Sequence, residues 1–290
     1  MRILYLVGDS RSGSTLLQHL LSLQPGVHAL GELRRLGEMS RASEPCACGA
    51  PLDECEFWCA VCGETSAAQR TTEQAPMGLT WRISMFREVA AIRAGLLPAG
   101  PLFRRRNHIA AAECFRLYES VARETGASLL IDNSKEPDHF LHMRASYPDH
   151  VEPVFLHRDG RGIIWSKMRR TGASAKTAID GYIWMQRLIE TARRAIGLHK
   201  ATDLLYEDLC RDPARELERL LSPHKIPVDT TDLSDLPDVR HDIGGSPTFK
   251  GAERREIKLD ERWREELPQE VLEEFERRAG QLNRFRGYTD

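Results

Sequence analysis

The sequence predicts an α/β fold in which a central parallel sheet lies between layers of helices. Short apolar runs alternate with segments of helical periodicity along most of the chain, which is typical of a parallel sheet with helices on both faces. The first run, Ile3 to Val7, is apolar at every position, as in a strand that is buried on both faces. A turn rich in glycine and serine follows it directly, which favours a strand–loop–helix unit.

Length and composition are those of an ordinary globular protein. The 290 residues are 41% hydrophobic and 29% charged, and the formal net charge is -2. Nothing global therefore argues for binding to nucleic acid or to a membrane surface, and no stretch reaches the ~20 apolar residues of a membrane span. We expect one domain over residues 1–290, with an irregular, cysteine-rich insertion at about 40–80. The oligomeric state is not readable from the sequence.

Two features indicate a cytoplasmic location. The apolar run from Ile3 to Val7 is shorter than the ~7–15 residues of a signal-peptide core. The seven cysteines are an odd number in a long chain, unlike the disulfide framework of a small secreted domain.

The other elements follow from periodicity and from helix-boundary residues. Leucines recur at helical spacing from Ser14, so a helix starts there and ends before Pro25. Pro137 and the pair Asp212-Pro213 mark helix starts, and Gly126 marks a helix end. The remaining elements are strands at 27–30, 128–131, 154–156 and 203–206, helices over most of 81–126, up to 170, over 176–198, up to 221 and over 262–283, and a loop-rich stretch at 223–250.

The turn from Gly8 to Thr15 is predicted to bind an anion. It nearly fits G-x-x-x-x-G-K-[ST], a pattern in which backbone N–H groups and a helix N-terminus hold phosphate, so the predicted fold is P-loop-like. Ser14 stands at the lysine position of that pattern, and the cation of the loop is Arg11. No strand ending in an obvious Mg²⁺-binding aspartate stands out, which disfavours a nucleoside triphosphate.

A second anion site is predicted after another strand. Residues 154–156 lead to Arg158, and the following helix carries Ser166 and Arg170, four positions apart on one face. A guanidinium and a hydroxyl suit a phosphate monoester, although an exposed basic helix face is the alternative. Ligands bind at the carboxyl ends of parallel strands, so both sites are expected at one sheet edge, as for a single nucleotide with phosphate groups at both ends.

Together these motifs resemble the sulfotransferases that use 3′-phosphoadenosine 5′-phosphosulfate (PAPS). In that family R-x-G-[ST]-[ST] after the first strand holds the 5′-phosphosulfate, and here it reads Arg11 to Thr15. A strand ending in R-D, followed eight residues later by serine, holds the 3′-phosphate, and here it is Arg158-Asp159 with Ser166. Residues 31–32, 132–135 and 206–209 are also similar to the tyrosyl-protein and bacterial members of the family. The resemblance covers most of residues 1–220, with weaker similarity at 260–263.

The resemblance implies an enzyme that moves a sulfuryl group in line from PAPS to a hydroxyl or amine of a small-molecule acceptor, with no metal required. It implies Glu32 as the catalytic base, with Arg11 and Lys135 stabilising the bridging oxygen and the sulfuryl group. It also implies a PAPS site formed by Arg11, Ser12, Gly13, Ser14, Thr15, Ser134, Arg158, Ser166, Arg170, Tyr206, Ser246 and Arg262.

Several alternatives stay open. Glu32 could instead be an ion-pair partner of Arg34 or Arg35, and Tyr206 could be a core residue. Other candidates for the base are His139, His157 and Asp138. At the level of function, the rivals are a P-loop kinase or other nucleotide phosphotransferase, and a non-catalytic nucleotide-binding protein.

Five cysteines crowd into residues 46–62. Four of them, Cys46, Cys48, Cys59 and Cys62, could bind a structural zinc ion as thiolates, although C-x-C paired with C-x-x-C is an irregular spacing. A disulfide or redox pair and free thiols are the alternatives.

Overall fold

A computed structural model describes residues 1–63, 101–231, 233, 240–245 and 257–289, with only the backbone described for 101–110. The helices predicted before residue 101, and the predicted site residue Ser246, lie outside this part of the chain. Five parallel strands form one sheet in the order β2-β3-β1-β4-β5, which confirms the predicted central parallel sheet. The strands are β1 (Arg2–Gly8), β2 (Val27–Gly31), β3 (Leu129–Lys135), β4 (Val151–His157) and β5 (Thr202–Leu205).

The helices flank this sheet. Those that the structure describes are α1 (Ser14–Ser22), α2 (Leu36–Arg41), α3 (Glu56–Cys62), α4 (Pro101–Thr125), α5 (Pro137–Ser146), α6 (Gly160–Thr171), α7 (Ala175–Ile196), α8 (Tyr206–Arg211), α9 (Pro213–Leu221), α10 (Trp263–Glu266) and α11 (Gln269–Phe285). Pro137 begins α5 and Pro213 begins α9, as predicted. The Asp212 side chain accepts the N–H of Arg215 at 3.1 Å and thus caps the N-terminus of α9. Across the described residues, no helix combines the length and the apolarity that crossing a membrane requires.

Three predicted boundaries are wrong. β3 continues to Lys135 instead of ending near residue 131, and Tyr206 begins α8 instead of ending a strand. The tail forms two helices, α10 and α11, because Pro268 cannot continue the first of them.

β1 lies at the centre of the sheet and is buried on both faces, as predicted. Its side chains from Ile3 to Val7 are at most 3% exposed. Tyr5 and Val7 belong to a cluster that includes side chains of α4, α5 and α7, whereas Leu4 and Leu6 pack with α1 and α9. Alternate side chains of β1 therefore pack against the helices on opposite faces of the sheet.

The strand order brings the predicted site residues to one edge. β1 lies between β3 and β4, with Val7 beside Lys135 and Gly8 beside Leu156. The loop after β1 therefore leaves the sheet between the ends of β3 and β4. Lys135 has a left-handed backbone, with φ of 68°, where the pairing of β1 with β3 shifts register. This edge is the kind of position where open parallel sheets bind ligands.

Candidate anion-binding site

The loop between β1 and α1 presents the N-terminus of a helix. Gly13 is the N-cap of α1, has a φ of 91°, and supplies no side chain to cap the first turn. A Cβ atom at Gly13 would lie 2.3 Å from Cδ2 of Tyr206, so glycine is required both for the backbone angle and for the close approach. The N–H groups of the first turn of α1 are thus suited to receive an anion.

Buried polar contacts fix the shape of this loop. Ser12 Oγ donates to the carbonyl oxygen of Asp9 at 2.8 Å, and the Asp9 carboxylate pairs with Lys167 Nζ of α6 at 2.7 Å. Burial raises the pKa of Asp9, and Lys167 opposes that rise. Sequence analysis missed both residues. The only available signal was their position, since Asp9 lies in the loop and Lys167 follows Ser166.

The two predicted anion anchors meet in the structure. Arg11 Nε donates to Ser166 Oγ at 2.9 Å, and Arg158 Nη1 donates to the carbonyl oxygen of Arg11 at 3.0 Å. Burial lowers the pKa of Arg11, and the positive charges of Arg170 and Arg158 lower it further. The charge of Arg11 is therefore opposed by two further guanidinium groups, Arg158 after β4 and Arg170 on α6, and a bound anion would relieve this repulsion.

Tyr206 lies between the anion loop and Arg158 and contacts both. Its ring packs on Gly13, and the Arg158 guanidinium lies over it at 4.5 Å from the centroid. Its hydroxyl donates to the carbonyl oxygen of Lys258 at 3.3 Å and accepts the N–H of Asp260 at 3.2 Å. Tyr206 is 7% exposed and also belongs to the core cluster around α1, and an adenine contact stays a prediction.

Arg262 lies beside the Arg158 anchor. Its guanidinium forms a two-point ion pair with the Asp260 carboxylate, at 2.8 and 2.9 Å. Arg158 Nη2 donates to the carbonyl oxygen of the same Asp260 at 2.9 Å. The positive charge of Arg262 is thus balanced by a carboxylate within the protein.

The predicted base and the predicted lysine are in direct contact. Glu32 Oε1 lies 2.7 Å from Lys135 Nζ, both side chains are 15% exposed, and Glu32 Oε2 lies 3.1 Å from Arg35 Nη1. Burial raises the pKa of Glu32, but Lys135 and Arg35 outweigh burial and leave the pKa below its ordinary value. Glu32 is therefore an ionised carboxylate at neutral pH. Arg34, the other partner considered, pairs instead with Glu136.

A short segment within the loop-rich stretch, residues 240–245, lies between Glu32 and the anion loop. A Cβ atom at Gly244 would lie 3.1 Å from Cδ of Glu32, and one at Gly245 would lie 3.6 Å from Cγ2 of Thr15. Glu32 and the first turn of α1 thus flank the same segment, on the β2 side of the site.

Buried polar groups hold the end of β3. Tyr118 donates its hydroxyl to Asp132 Oδ2, and the N–H of Ser134 donates to Asp132 Oδ1 at 2.7 Å. Ser134 Oγ accepts the N–H of Arg34 at 3.2 Å, so this hydroxyl contacts the turn after β2. The side-chain amide of Asn133 is fully buried, and neither its nitrogen nor its oxygen has a hydrogen-bond partner among the described residues. This is expected of a group that hydrogen-bonds to a ligand or to water.

The other candidates for the base are engaged elsewhere. His139 Nδ1 lies 2.9 Å from the Tyr5 hydroxyl, and His157 Nε2 lies 2.8 Å from Asp203 Oδ1. Burial lowers the pKa of both histidines. Asp138 lies 3.5 Å from Arg34. Among these candidates, Glu32 is the one in contact with Lys135.

The cysteine-rich segment brings together a different set of ligands from the predicted one. The Sγ atoms of Cys46, Cys48 and Cys55 and a ring nitrogen of His241 all lie within 4.8 Å of one another. Cys59 and Cys62 lie outside this group, further along α3, and none of the seven cysteines forms a disulfide. The predicted set was chosen from local spacing alone, which could not show that His241 folds back onto the segment.

Comparison with known proteins supports the fold assignment. No known family profile matches the chain, and no curated protein matches it either. The sulfotransferase domain of the Synechococcus PCC 7002 olefin synthase is 18% identical, with a TM-score of 0.53 over 100% of this chain and 96% of that one. The sulfotransferase domain of the curacin biosynthetic pathway is 17% identical, with a TM-score of 0.53 over 97% of both chains. The chain therefore has the P-loop-like fold of these sulfotransferase domains, and the predicted resemblance is confirmed at the level of fold.

Proposed function

We propose that this protein is a sulfotransferase that moves the sulfuryl group of PAPS to a hydroxyl or amine of a small-molecule acceptor. The observation that carries the proposal is the contact between the two anion anchors. Arg11 of the loop after β1 donates to Ser166 of α6 and accepts from Arg158 at the end of β4. One ligand with anionic groups at both ends of a nucleoside would engage both anchors. The fold shared with two sulfotransferase domains supports the same reading.

Each end of the donor has matching groups. The N-terminus of α1 and Arg11 suit the 5′-phosphosulfate, since backbone N–H groups and a guanidinium stabilise its oxygens. Arg158, Ser166 and Arg170 suit the 3′-phosphate, which accepts hydrogen bonds from guanidinium and hydroxyl groups.

The transfer step requires a base and charge stabilisation. The acceptor oxygen or nitrogen forms a bond to sulfur while the bond from sulfur to the bridging oxygen breaks, and the acceptor proton passes to the Glu32 carboxylate. The negative charge that grows on the departing 5′-phosphate is stabilised by Arg11 and Lys135. These are positioning and electrostatic effects, as in phosphoryl transfer.

The rival classes have less support. A P-loop kinase would place a lysine at residue 14, where this chain has a serine that is 5% exposed. Lys167, a lysine in contact with the loop, is paired with Asp9 at 2.7 Å. A non-catalytic nucleotide-binding protein would not need the buried contact between Glu32 and Lys135 beside the anion loop. The single domain and the cytoplasmic location stay predictions.

Calorimetry with the product nucleotide tests the proposal. Adenosine 3′,5′-bisphosphate is expected to bind in the presence of EDTA and more tightly than ADP, with or without Mg²⁺. Arg11→Ala and Arg158→Ala are expected to weaken binding, whereas Arg169→Ala, an exposed neighbour that pairs with Glu266 at 3.7 Å, should leave it unchanged. Tighter, Mg²⁺-dependent binding of ADP would favour a kinase instead.

Transfer itself is measured with radiolabelled PAPS and a panel of phenols, alcohols, amines and sugars. Labelled product that disappears in Glu32→Gln is the expected result. Tight binding of the bisphosphate with no labelled product from any acceptor class would favour the non-catalytic alternative.

A further inference from the structure

We propose that Cys46, Cys48, Cys55 and His241 bind a structural Zn²⁺ ion, and that this ion fixes the segment 240–245 beside Glu32. Their four ligand atoms lie within 4.8 Å of one another, in a part of the chain that the proposed sulfuryl transfer does not use. The ligand set joins a segment near residue 50 to a histidine that lies 195 positions after Cys46.

Three of the six distances between these ligand atoms are close to the edges of a tetrahedral Cys₃His site. Zn–S bonds of ~2.3 Å and Zn–N bonds of ~2.0–2.1 Å at tetrahedral angles place two sulfurs about 3.8 Å apart, and a sulfur and a nitrogen about 3.6 Å apart. The Sγ atoms of Cys48 and Cys55 are 3.7 Å apart, and His241 Nδ1 lies 3.4 Å from Cys55 Sγ and 3.8 Å from Cys46 Sγ. A disulfide would require ~2.05 Å between sulfurs, so these are separations of ligands and not of a bonded pair.

The local backbone positions the three thiols. Gly49 has a φ of 94°, which lets the chain turn sharply after Cys48. The N–H of Gly49 donates to the carbonyl oxygen of Cys46 at 2.9 Å, and the N–H of Cys46 donates to that of Ala50 at 2.8 Å. Cys55 is the N-cap of α3. Three thiolates and one imidazole form a soft donor set that suits Zn²⁺ and does not suit Mg²⁺ or Ca²⁺.

The imidazole is held in place by groups around it. Phe57 stacks on the His241 ring with centroids 4.7 Å apart and an interplanar angle of 14°. Trp58 Nε1 donates to the carbonyl oxygen of His241 at 2.8 Å, and the N–H of Ala47 donates to that of Asp242 at 3.3 Å. These contacts fix the ring plane and the backbone of His241 beside the three thiols.

The consequence for the site follows from the residues after His241. The N–H of Ile243 donates to the carbonyl oxygen of Leu30 at 3.0 Å, and the N–H of Glu32 donates to that of Ile243 at 2.8 Å. A metal ion on His241 would therefore hold residues 240–245 in place, and the backbone of Ile243 positions Glu32. The zinc site stands on its own geometry, and only its effect on catalysis rests on the proposed function.

Metal analysis of protein purified without added zinc tests the site. We expect about one zinc per chain, as in a closed structural site, and a tetrahedral thiolate spectrum after replacement of zinc by Co²⁺. Cys55→Ser and His241→Ala should lose most of the metal and change the Co²⁺ spectrum. Cys59→Ser is the matched control, because this exposed thiol lies on α3 outside the cluster, and it should keep both.

Two results would overturn the site: wild-type protein that carries no zinc and gives no tetrahedral Co²⁺ spectrum, or both ligand variants with the metal content and spectrum of the wild type. A count of fewer than seven thiols in denatured, unreduced protein would also overturn it, in favour of a disulfide. Because zinc content is measured without nucleotide, failure of the proposed function would leave this result intact, and the reverse also holds.

Discussion

Replacing Lys135 with methionine is expected to raise the pKa of Glu32. Lys135 Nζ lies 2.7 Å from Glu32 Oε1, and both side chains are 15% exposed, so solvent screens the pair only weakly. Burial raises the pKa of Glu32, and among the groups that lower it Lys135 has the largest effect. An opposite charge at this range favours the ionised form of a carboxyl group. Without Lys135 the effect of burial is opposed chiefly by the more exposed Arg35, so the pKa of Glu32 should rise.

NMR measures this pKa without an acceptor. The carboxyl carbon of Glu32 in ¹³C-labelled protein is assigned by its loss in Glu32→Gln, and its shift is followed with pH. The same substitution should lower the stability of the protein at neutral pH. Because the folded-state pKa of wild-type Glu32 is depressed, its contribution to stability is present above the unfolded-state pKa and is lost as pH falls through the folded-state value. Lys135→Met should remove that contribution.

Arg35→Met is the matched control for the second partner of the same carboxylate. Arg35 lies 3.1 Å from Glu32 Oε2 but is 36% exposed, so its removal should raise the pKa by less. An unchanged Glu32 midpoint in Lys135→Met would refute the reasoning, because the contact would then not govern the charge of the proposed base. A larger shift in Arg35→Met would refute the ranking of the two partners.

Three further predictions concern the anion site and its supports. Arg158→Ala should weaken binding of adenosine 3′,5′-bisphosphate by about 10–150-fold (~1.5–3 kcal/mol) and AMP by less, whereas equal losses in calorimetry would indicate bracing alone. Gly13→Ala should lower the melting temperature more than Gly172→Ala. Both glycines have positive φ, but of the two only Gly13 has a neighbour, Tyr206, within 4 Å of the added Cβ atom. Equal decreases in melting temperature would argue against the contact with Tyr206. Tyr118→Phe should cost ~1–3 kcal/mol of unfolding free energy by denaturant titration, because it removes a hydrogen bond to the fully buried Asp132, and no loss would show that this bond is replaced.

Much of the sheet could be predicted because apolar runs and helical spacing are local signals. The run from Ile3 to Val7 indicated a strand that is buried on both faces, since such a strand is apolar throughout. The end of β3 could not be predicted in this way, because Asp132 to Lys135 are poor strand formers by composition. They continue the strand because Tyr118 and the N–H of Ser134 satisfy the buried Asp132.

In the candidate site, too, residues marked by local signals could be predicted, and contacts between distant positions could not. Arg11, Lys135 and Arg158 were each predicted to follow a strand, so the topology of a parallel sheet was enough to place them at one edge. The contact between Asp9 and Lys167 spans 158 positions, and the contact between Cys46 and His241 spans 195. Residue spacing carries no information about such pairs. The predicted set of four cysteines differs from the cluster in the structure for this reason, since His241 is far away in the sequence.

Carboxylates of the protein balance several cations of the site. Lys167 pairs with Asp9 and Lys135 with Glu32. Asp260 pairs with Arg262 and lies 4.0 Å from Arg158. If the sulfuryl group competes for Lys135 when the donor binds, Glu32 loses part of its ion pair at that moment, and its pKa rises toward a value better suited to a base. Base activation would then depend on the donor, which favours an order in which the donor binds before the acceptor proton is removed.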